Sequence, residues 1–173
     1  MKRLIESTIA ILLVLTSSAQ LEACKCLPMS AKEAYCAADW VSQIHVEPNA
    51  VGEPSSASEI VEGNSNSSAS LPGELSTYNR FDVTHVEVFK VLTEFNGTLP
   101  NVIYTPYHSA ACGISLSIGK DYLLAGKTQN GTLLTHICGQ ITEPESSKIF
   151  MEWSETSDNL RHALRESAFE PCK

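Results

Sequence analysis

Six cysteines, Cys24, Cys26, Cys36, Cys112, Cys138 and Cys172, constrain this chain more than any other feature. All of them follow an apolar run, Thr8 to Leu15, that has Lys2-Arg3 ahead of it and the length of a secretory signal. Small Ala23 stands just before Cys24, so cleavage there removes residues 1–23 and makes Cys24 the new amino terminus. An even number of cysteines bound for an oxidising compartment reads as three disulfides. Six cysteines allow about 15 connectivities, and spacing alone does not choose among them. The apolar run is too short for a membrane-spanning helix. Glu22 suits a lipoprotein signal badly, and lipid on Cys24 would upset the even pairing. A cysteine zinc site is disfavoured because no Cys-x-x-Cys knuckle is present.

The residues beyond position 23 suffice for one domain with a real core, not for two. A net charge of −8 makes nucleic acid, heparin-like polymers and anionic membranes poor partners. Sequons at Asn66, Asn96 and Asn130 mark surface segments and candidate glycan sites in a secreted chain. Cleavage before Cys24 also creates a chelating pair, a free α-amino group beside its own carbonyl.

Ser30-Ala31-Lys32-Glu33 forms a capping-box pattern, predicting a short helix to Ala38 that carries Cys36. Trp40 to Val46 alternates as a strand. Residues 47–79 hold eight serines and five glutamates with no lysine or arginine, which reads as a long exposed loop insertion. Strands are then predicted over Arg80–Leu92, Asn101–Tyr107, Cys112–Ile118, Asp121–Lys127 and Thr132–Cys138. The apolar phase slips between Val83 and Val86, predicting a bulge. Gly97, Gly119 and Asn130-Gly131 punctuate the strands as turns. Leu160, Ala163, Leu164, Ser167 and Ala168 recur at helical spacing, with Ser157 or Asp158 as cap. Five short strands with flanking helices predict a mainly β fold, a five-stranded closed barrel of the oligonucleotide-binding type, although a sandwich gives the same alternation.

The segment CKCLPMSAKEAYCAADWV, starting at Cys24, resembles the mature start of the tissue inhibitors of metalloproteinases. Cys24, Cys26, Pro28 and Cys36 carry the match. A second block, IYTPYHSAACGISLSIGKDYLLAGK from Ile103 to Lys127, resembles that family's Ser-Ala-x-Cys-Gly and Tyr-Leu-x-Ala-Gly-Lys elements. Cys138 and Cys172 fall where the inhibitory domain's last two cysteines lie. The resemblance implies the pairing Cys24–Cys112, Cys26–Cys138 and Cys36–Cys172, and the barrel. It also implies a function: a secreted inhibitor, monomeric and binding one to one, acting in the extracellular space or matrix. The Cys24 amine and carbonyl would chelate the zinc of a target metalloproteinase, so the chain needs no cofactor of its own. Lys25, Cys26, Leu27 and Pro28 would follow along the protease cleft, with Ser109, Ala110 and Ala111 completing the wedge.

Three departures accompany the resemblance. Lys25 stands where vertebrate members carry a small Thr or Ser, which bears on selectivity. The sequence ends after the sixth cysteine, so the family's smaller carboxy-terminal domain is not expected. The 47–79 insertion replaces the first hairpin loop. Two other classes compete. A netrin-type binding module would use the same barrel in the matrix without inhibition, but such modules follow other domains and lack a free amine on the first cysteine. An enzyme is disfavoured because His45, His85, His108, His136 and His162 are scattered and form no catalytic motif.

Overall fold

A computed structural model describes residues 24–48, 77–144, 146 and 148–172. The leader and most of the serine-rich insertion, with Asn66, lie outside the described residues. The capping box forms as expected: the Glu33 carboxylate accepts from the Ser30 backbone N–H at 2.7 Å, and Ser30 Oγ accepts from the Glu33 N–H. Helix α1 (Ala31–Ala37) starts there. Strand β1 (Trp40–Val46) follows, then β2 (Tyr78–Lys90) and β3 (Val102–Pro106). Strands β4 (Asp121–Gln129) and β5 (Thr132–Leu134) form a hairpin. Its turn, Asn130-Gly131, has positive φ at both residues, the geometry that suits a two-residue hairpin loop. A two-residue strand β6 (Met151–Glu152) and helix α2 (Asp158–Arg165) complete the elements.

The strands run β1-β2-β3-β5-β4, and β1 pairs again with β4 to close a five-stranded barrel; β6 adds to the outside of β4. Closure decides between barrel and sandwich. All neighbours are antiparallel except β3 and β5, which pair in parallel through Ile103–Leu133 and Tyr104–Leu134. The predicted bulge is present: β1 passes from Glu87 to His85, skipping Val86, and a second slip skips Phe89. Each slip turns β2 further, letting one long strand serve β1 with one half and β3 with the other.

Strand β4 explains its own unbroken apolar run. Tyr122 and Leu124 point into the barrel with Trp40, Ile44, Phe81, Ile103 and Leu133. Leu123 and Ala125 point outward against Tyr35, Met151, Leu160 and Leu164. Both faces are buried, so alternation vanishes. Gly126 is required here, because a β-carbon would stand 2.1 Å from the Leu134 carbonyl oxygen and 2.7 Å from the Trp40 ring.

Four expectations need correction. Residues 112–118 form no ladder strand: Ile114 and Leu116 still point inward, but the Ile114 N–H donates to Thr105 Oγ1 instead of to a neighbouring strand. Strand β5 stops at Leu134, because Gln140 captures the His136 carbonyl with its side-chain amide and the chain turns into a 3-10 turn at Ile137–Gly139. Strand β2 starts two residues early, pairing Tyr78 with Pro106. Helix α2 ends at Arg165, before Ser167 adopts a φ of 51°, and its cap is Ser157, whose Oγ accepts from the Leu160 N–H.

The His85 ring sits between β1 and the β2–β3 connection, with Nδ1 2.9 Å from Ser42 Oγ and Nε2 3.0 Å from the Pro100 carbonyl oxygen. Burial pushes its pKa below the ordinary value of 6.5, and the Pro100 bond opposes this only in part. The folded chain therefore keeps His85 neutral where the unfolded chain already takes up a proton. Stability is full above about pH 6.5 and falls as the pH drops below it. Thermal melts between pH 7 and 5 should record that fall, and His85→Gln should flatten it; an unchanged slope in the variant would assign the loss to other groups.

Candidate functional site

The parallel pairing of β3 and β5 sends both strands out at one end of the barrel, and the chain's first described residues cross that end. The amino-terminal segment ahead of α1 has no regular structure. Its side chains alternate all the same: Cys24 and Cys26 are half-buried, whereas Lys25, Leu27 and Pro28 are exposed. Two disulfides hold it down. Cys24 joins Cys112, six residues past β3, and Cys26 joins Cys138, four residues past β5, each with a Cα separation of 5.0 Å. The third bridge, Cys36–Cys172, fastens α1 to the segment after α2. There Tyr35 packs against Phe169, ring centroids 5.3 Å apart. Chain-entropy models give bridges closing loops of this length roughly 4–5 kcal/mol each.

Ser109–Ala111 form a 3-10 turn whose cap is Cys112 itself, held at a φ of 66°. The Ala111 and Gly113 N–H groups both donate to the His108 carbonyl, at 2.9 and 3.2 Å. All three turn residues are exposed beside the bridge to Cys24. The two cysteine loops are tied to each other, since the Ile137 N–H donates to the Cys112 carbonyl at 2.9 Å. Beneath them, buried Gln140 accepts from the Ala125 N–H and directs its amide nitrogen at the Ala125 and His136 carbonyls and at Thr135 Oγ1. Gln140 and Thr135 are site-shaping residues the sequence reading missed; a polar residue inside an apolar barrel end carries no periodic signal.

The tip displays an unusual apolar edge. Leu27 is 85% exposed, Met29 is 39% exposed, and Tyr107 on the facing loop is 47% exposed. Large side chains left in water beside a doubly bridged backbone suit a contact surface. The Cys24, Cys112 and Cys138 sulfurs lie close enough to form a metal-ligand cluster, but each is spent in a bridge and offers no thiolate.

Among the described residues the histidines do not build a catalytic centre. His45 bonds Asp121 at 2.6 Å on the barrel surface. The Ser42–His85 contact pairs a hydroxyl with an imidazole, yet Ser42 is fully buried and its hydroxyl faces the carbonyls of Gln43 and Glu87. His108 packs edge-on against Tyr107. An open cleft of about 420 Å³ lies between Ser115, Ser117, Ile137 and Phe150; its charged lining residues are Lys148, Glu152 and Glu155, and Lys148 is paired with Glu155.

The fold is a closed barrel that straps its own amino-terminal segment across one end with two disulfides. The chain belongs to the tissue inhibitor of metalloproteinase family, whose model matches residues 22–169. Members of that family are inhibitors, not enzymes. The Caenorhabditis elegans protein tag-225 is 33% identical over 148 residues, covering 83% of this chain and 85% of that protein. Metalloproteinase inhibitor 2 of Canis lupus familiaris is 30% identical over 141 residues, and that of Homo sapiens 29% over 141. Both alignments cover 79% of this chain and 56% of the mammalian protein, so the chain spans little more than half their length.

Gly113 tests how firmly the Ser109–Ala111 loop is seated. A β-carbon there would stand 1.9 Å from the Pro106 carbonyl oxygen, a backbone atom that cannot swing away. Gly113→Ala should cost roughly 1–3 kcal/mol in urea unfolding, with all three bridges intact. A loss within a few tenths of a kcal/mol would mean that the turn shifts freely.

Proposed function

We propose that the chain is secreted and inhibits zinc metalloproteinases by offering the Cys24 α-amino nitrogen and carbonyl oxygen to the zinc of the target enzyme. The observation that carries this reading is the double strap. Residues 24 and 26 are each bridged to the barrel, so the one segment that would otherwise fray is held in place. A rigid tip binds without an ordering cost.

The chemistry fits the donors present. The Cys24 thiol is consumed in its bridge, and the amine and carbonyl remain, five-membered-ring partners for one cation. Catalytic zinc keeps an exchangeable position and accepts nitrogen and oxygen ligands. The amine, with an ordinary pKa of about 7.7–8.0, loses its proton on ligation. Lys25, Leu27 and Pro28 then run along the cleft, Ser109, Ala110 and Ala111 form its second edge, and the partner is engaged one to one. The target's zinc is the only metal the reading requires. Cleavage after Ala23 is part of the proposal. So are glycans at the exposed asparagines Asn96 and Asn130. Among the described residues no helix is long and apolar enough to cross a membrane.

The decisive experiment places one alanine ahead of Cys24. The extension moves the amine out of chelating range and substitutes an amide nitrogen, a poor ligand. Inhibition of a zinc endopeptidase should fall roughly a thousandfold or more, equivalent to about 4 kcal/mol, while circular dichroism and the disulfide map stay unchanged. An extended protein that inhibits as tightly as the native chain would rule out chelation and favour a barrel that binds without inhibiting.

Lys25 governs selectivity in this reading. Its side chain is exposed at the tip. Lys25→Gly should weaken binding to the natural target by roughly 10–200-fold, and Lys25→Thr should reorder preference among proteases. Inhibition constants unchanged from the native chain for both variants across a protease panel would place the side chain outside the target's specificity pocket.

A further inference from the structure

We propose that the two tip bridges form one exchange-coupled unit: when Cys26–Cys138 opens, the freed Cys138 sulfur captures Cys24 or Cys112 and rewires the amino terminus while the barrel stays folded. The regulatory consequence rests on the inhibitory reading above; the chemistry does not.

Four sulfurs converge at the barrel end. Cys138 Sγ lies 3.4 Å from Cys24 Sγ and 3.6 Å from Cys112 Sγ, van der Waals contact with both members of a bridge to which it does not belong. Being nearly equidistant, it sits beside that bond, so a freed Cys138 must turn to reach the axis along which exchange proceeds. Room exists for the turn. A cleft of about 120 Å³ opens on Cys138, bordered by Ala34, Gly126, Gly139, His136 and Lys127. The same cleft is bordered by the side chains of His136 and Lys127, and the Lys127 ammonium reaches Asp39 at 3.2 Å. Attack of an incoming thiol on Cys26 is the branch that releases Cys138 beside the neighbouring bridge.

The step balances with a small thiol as co-reactant. The thiolate of glutathione attacks Cys26 Sγ, a glutathione–Cys26 bond forms, the Cys26–Cys138 bond breaks, and Cys138 leaves as thiolate. Cys138 then attacks Cys24 or Cys112, a new bond forms to that sulfur, and the other departs as thiolate and takes up a proton. Two disulfides are present before and after, so nothing is oxidised or reduced overall. Cys36–Cys172 lies outside this sulfur cluster, fastening α1 to the segment after α2, and is untouched.

The full chain should be treated with reduced glutathione at neutral pH, quenched in acid, capped with N-ethylmaleimide and mapped. Molecules carrying glutathione on Cys26 should contain Cys24–Cys138 or Cys112–Cys138 peptides, with Cys36–Cys172 intact. If they keep Cys24–Cys112 and a capped Cys138, the bridges are independent and the proposal fails. Cys26→Ser gives a second arm without reductant: crossed peptides support exchange, and quantitative capping of Cys138 overturns it. Should that variant not fold, the glutathione arm on the unaltered chain decides. Loss of inhibition should track the crossed peptides while far-UV circular dichroism holds constant. Because the disulfide map is read without any target metalloproteinase, a failed inhibitory reading and a failed exchange are told apart.

Discussion

The parallel contact between β3 and β5 spans only two residue pairs, yet the strapped end of the barrel, where the candidate site lies, depends on it. In a barrel of antiparallel neighbours, successive strands leave at opposite ends. One parallel pair makes two strands leave at the same end, and here each is followed within a few residues by a cysteine. Cys112 and Cys138 thereby become the two anchor points over which residues 24–26 are stretched. Closure through β1 and β4 fixes the diameter of that end, and Trp40 fills it from below, its indole N–H donating to the Lys127 carbonyl at 3.2 Å. The space that Trp40 needs is the space Gly126 leaves. A barrel interior, a glycine and two bridges thus act in series to hold one short segment still.

Much of this was legible in the sequence where a local rule applies. The capping box at Ser30 and Glu33, the phase slip near Val86 and the Asn130-Gly131 turn each follow from neighbouring residues, and each is found. The failures share a cause. Residues 112–118 and 135–138 have strand-like composition, but whether an extended segment joins a ladder depends on a partner remote in sequence. Thr105 takes the Ile114 N–H, and Gln140 takes the His136 carbonyl, and neither competitor is visible from periodicity. The same limit hid β6, two residues long and defined solely by its contact with Tyr122 and Leu123. The site was legible in a different way. Cys24, Cys26, Pro28 and the Ser109-Ala110-Ala111-Cys112 run announced it through resemblance, whereas the polar support beneath, Gln140 and Thr135, announced nothing.

Charge is distributed so that the tip is not dominated by the molecule's acidity. The net charge of −8 is carried in large part by the insertion, while Lys25 stands exposed between the two bridged cysteines. Among the described residues several other cations have partners: Arg165 forks onto Glu87, Lys120 meets Glu152, and Lys90 donates to the Tyr35 and Cys36 carbonyls at the end of α1. Exposed pairs of this kind contribute little to stability, of the order of 0–1 kcal/mol. Lys25 is thus an exposed cation on an acidic molecule, and at physiological ionic strength the screening length of about 8 Å keeps the more distant charge quiet there.

The three bridges divide their labour accordingly. Cys36–Cys172 joins α1 to the chain beyond α2, beside a cluster in which Tyr35, Leu160 and Leu164 are already buried against β4. It reinforces packing that exists without it. The two tip bridges secure a segment with no regular structure, in which Leu27 is 85% and Met29 39% exposed, so among the described residues they are its main anchors. Stability of the fold and order of the site are therefore separable quantities in this molecule. The barrel core is built from side chains other than these sulfurs, while the position of Cys24 is set by the two tip bridges together. A site built in this way is rigid only as long as its covalent connections persist, and the close packing of those connections is what makes them capable of exchanging partners.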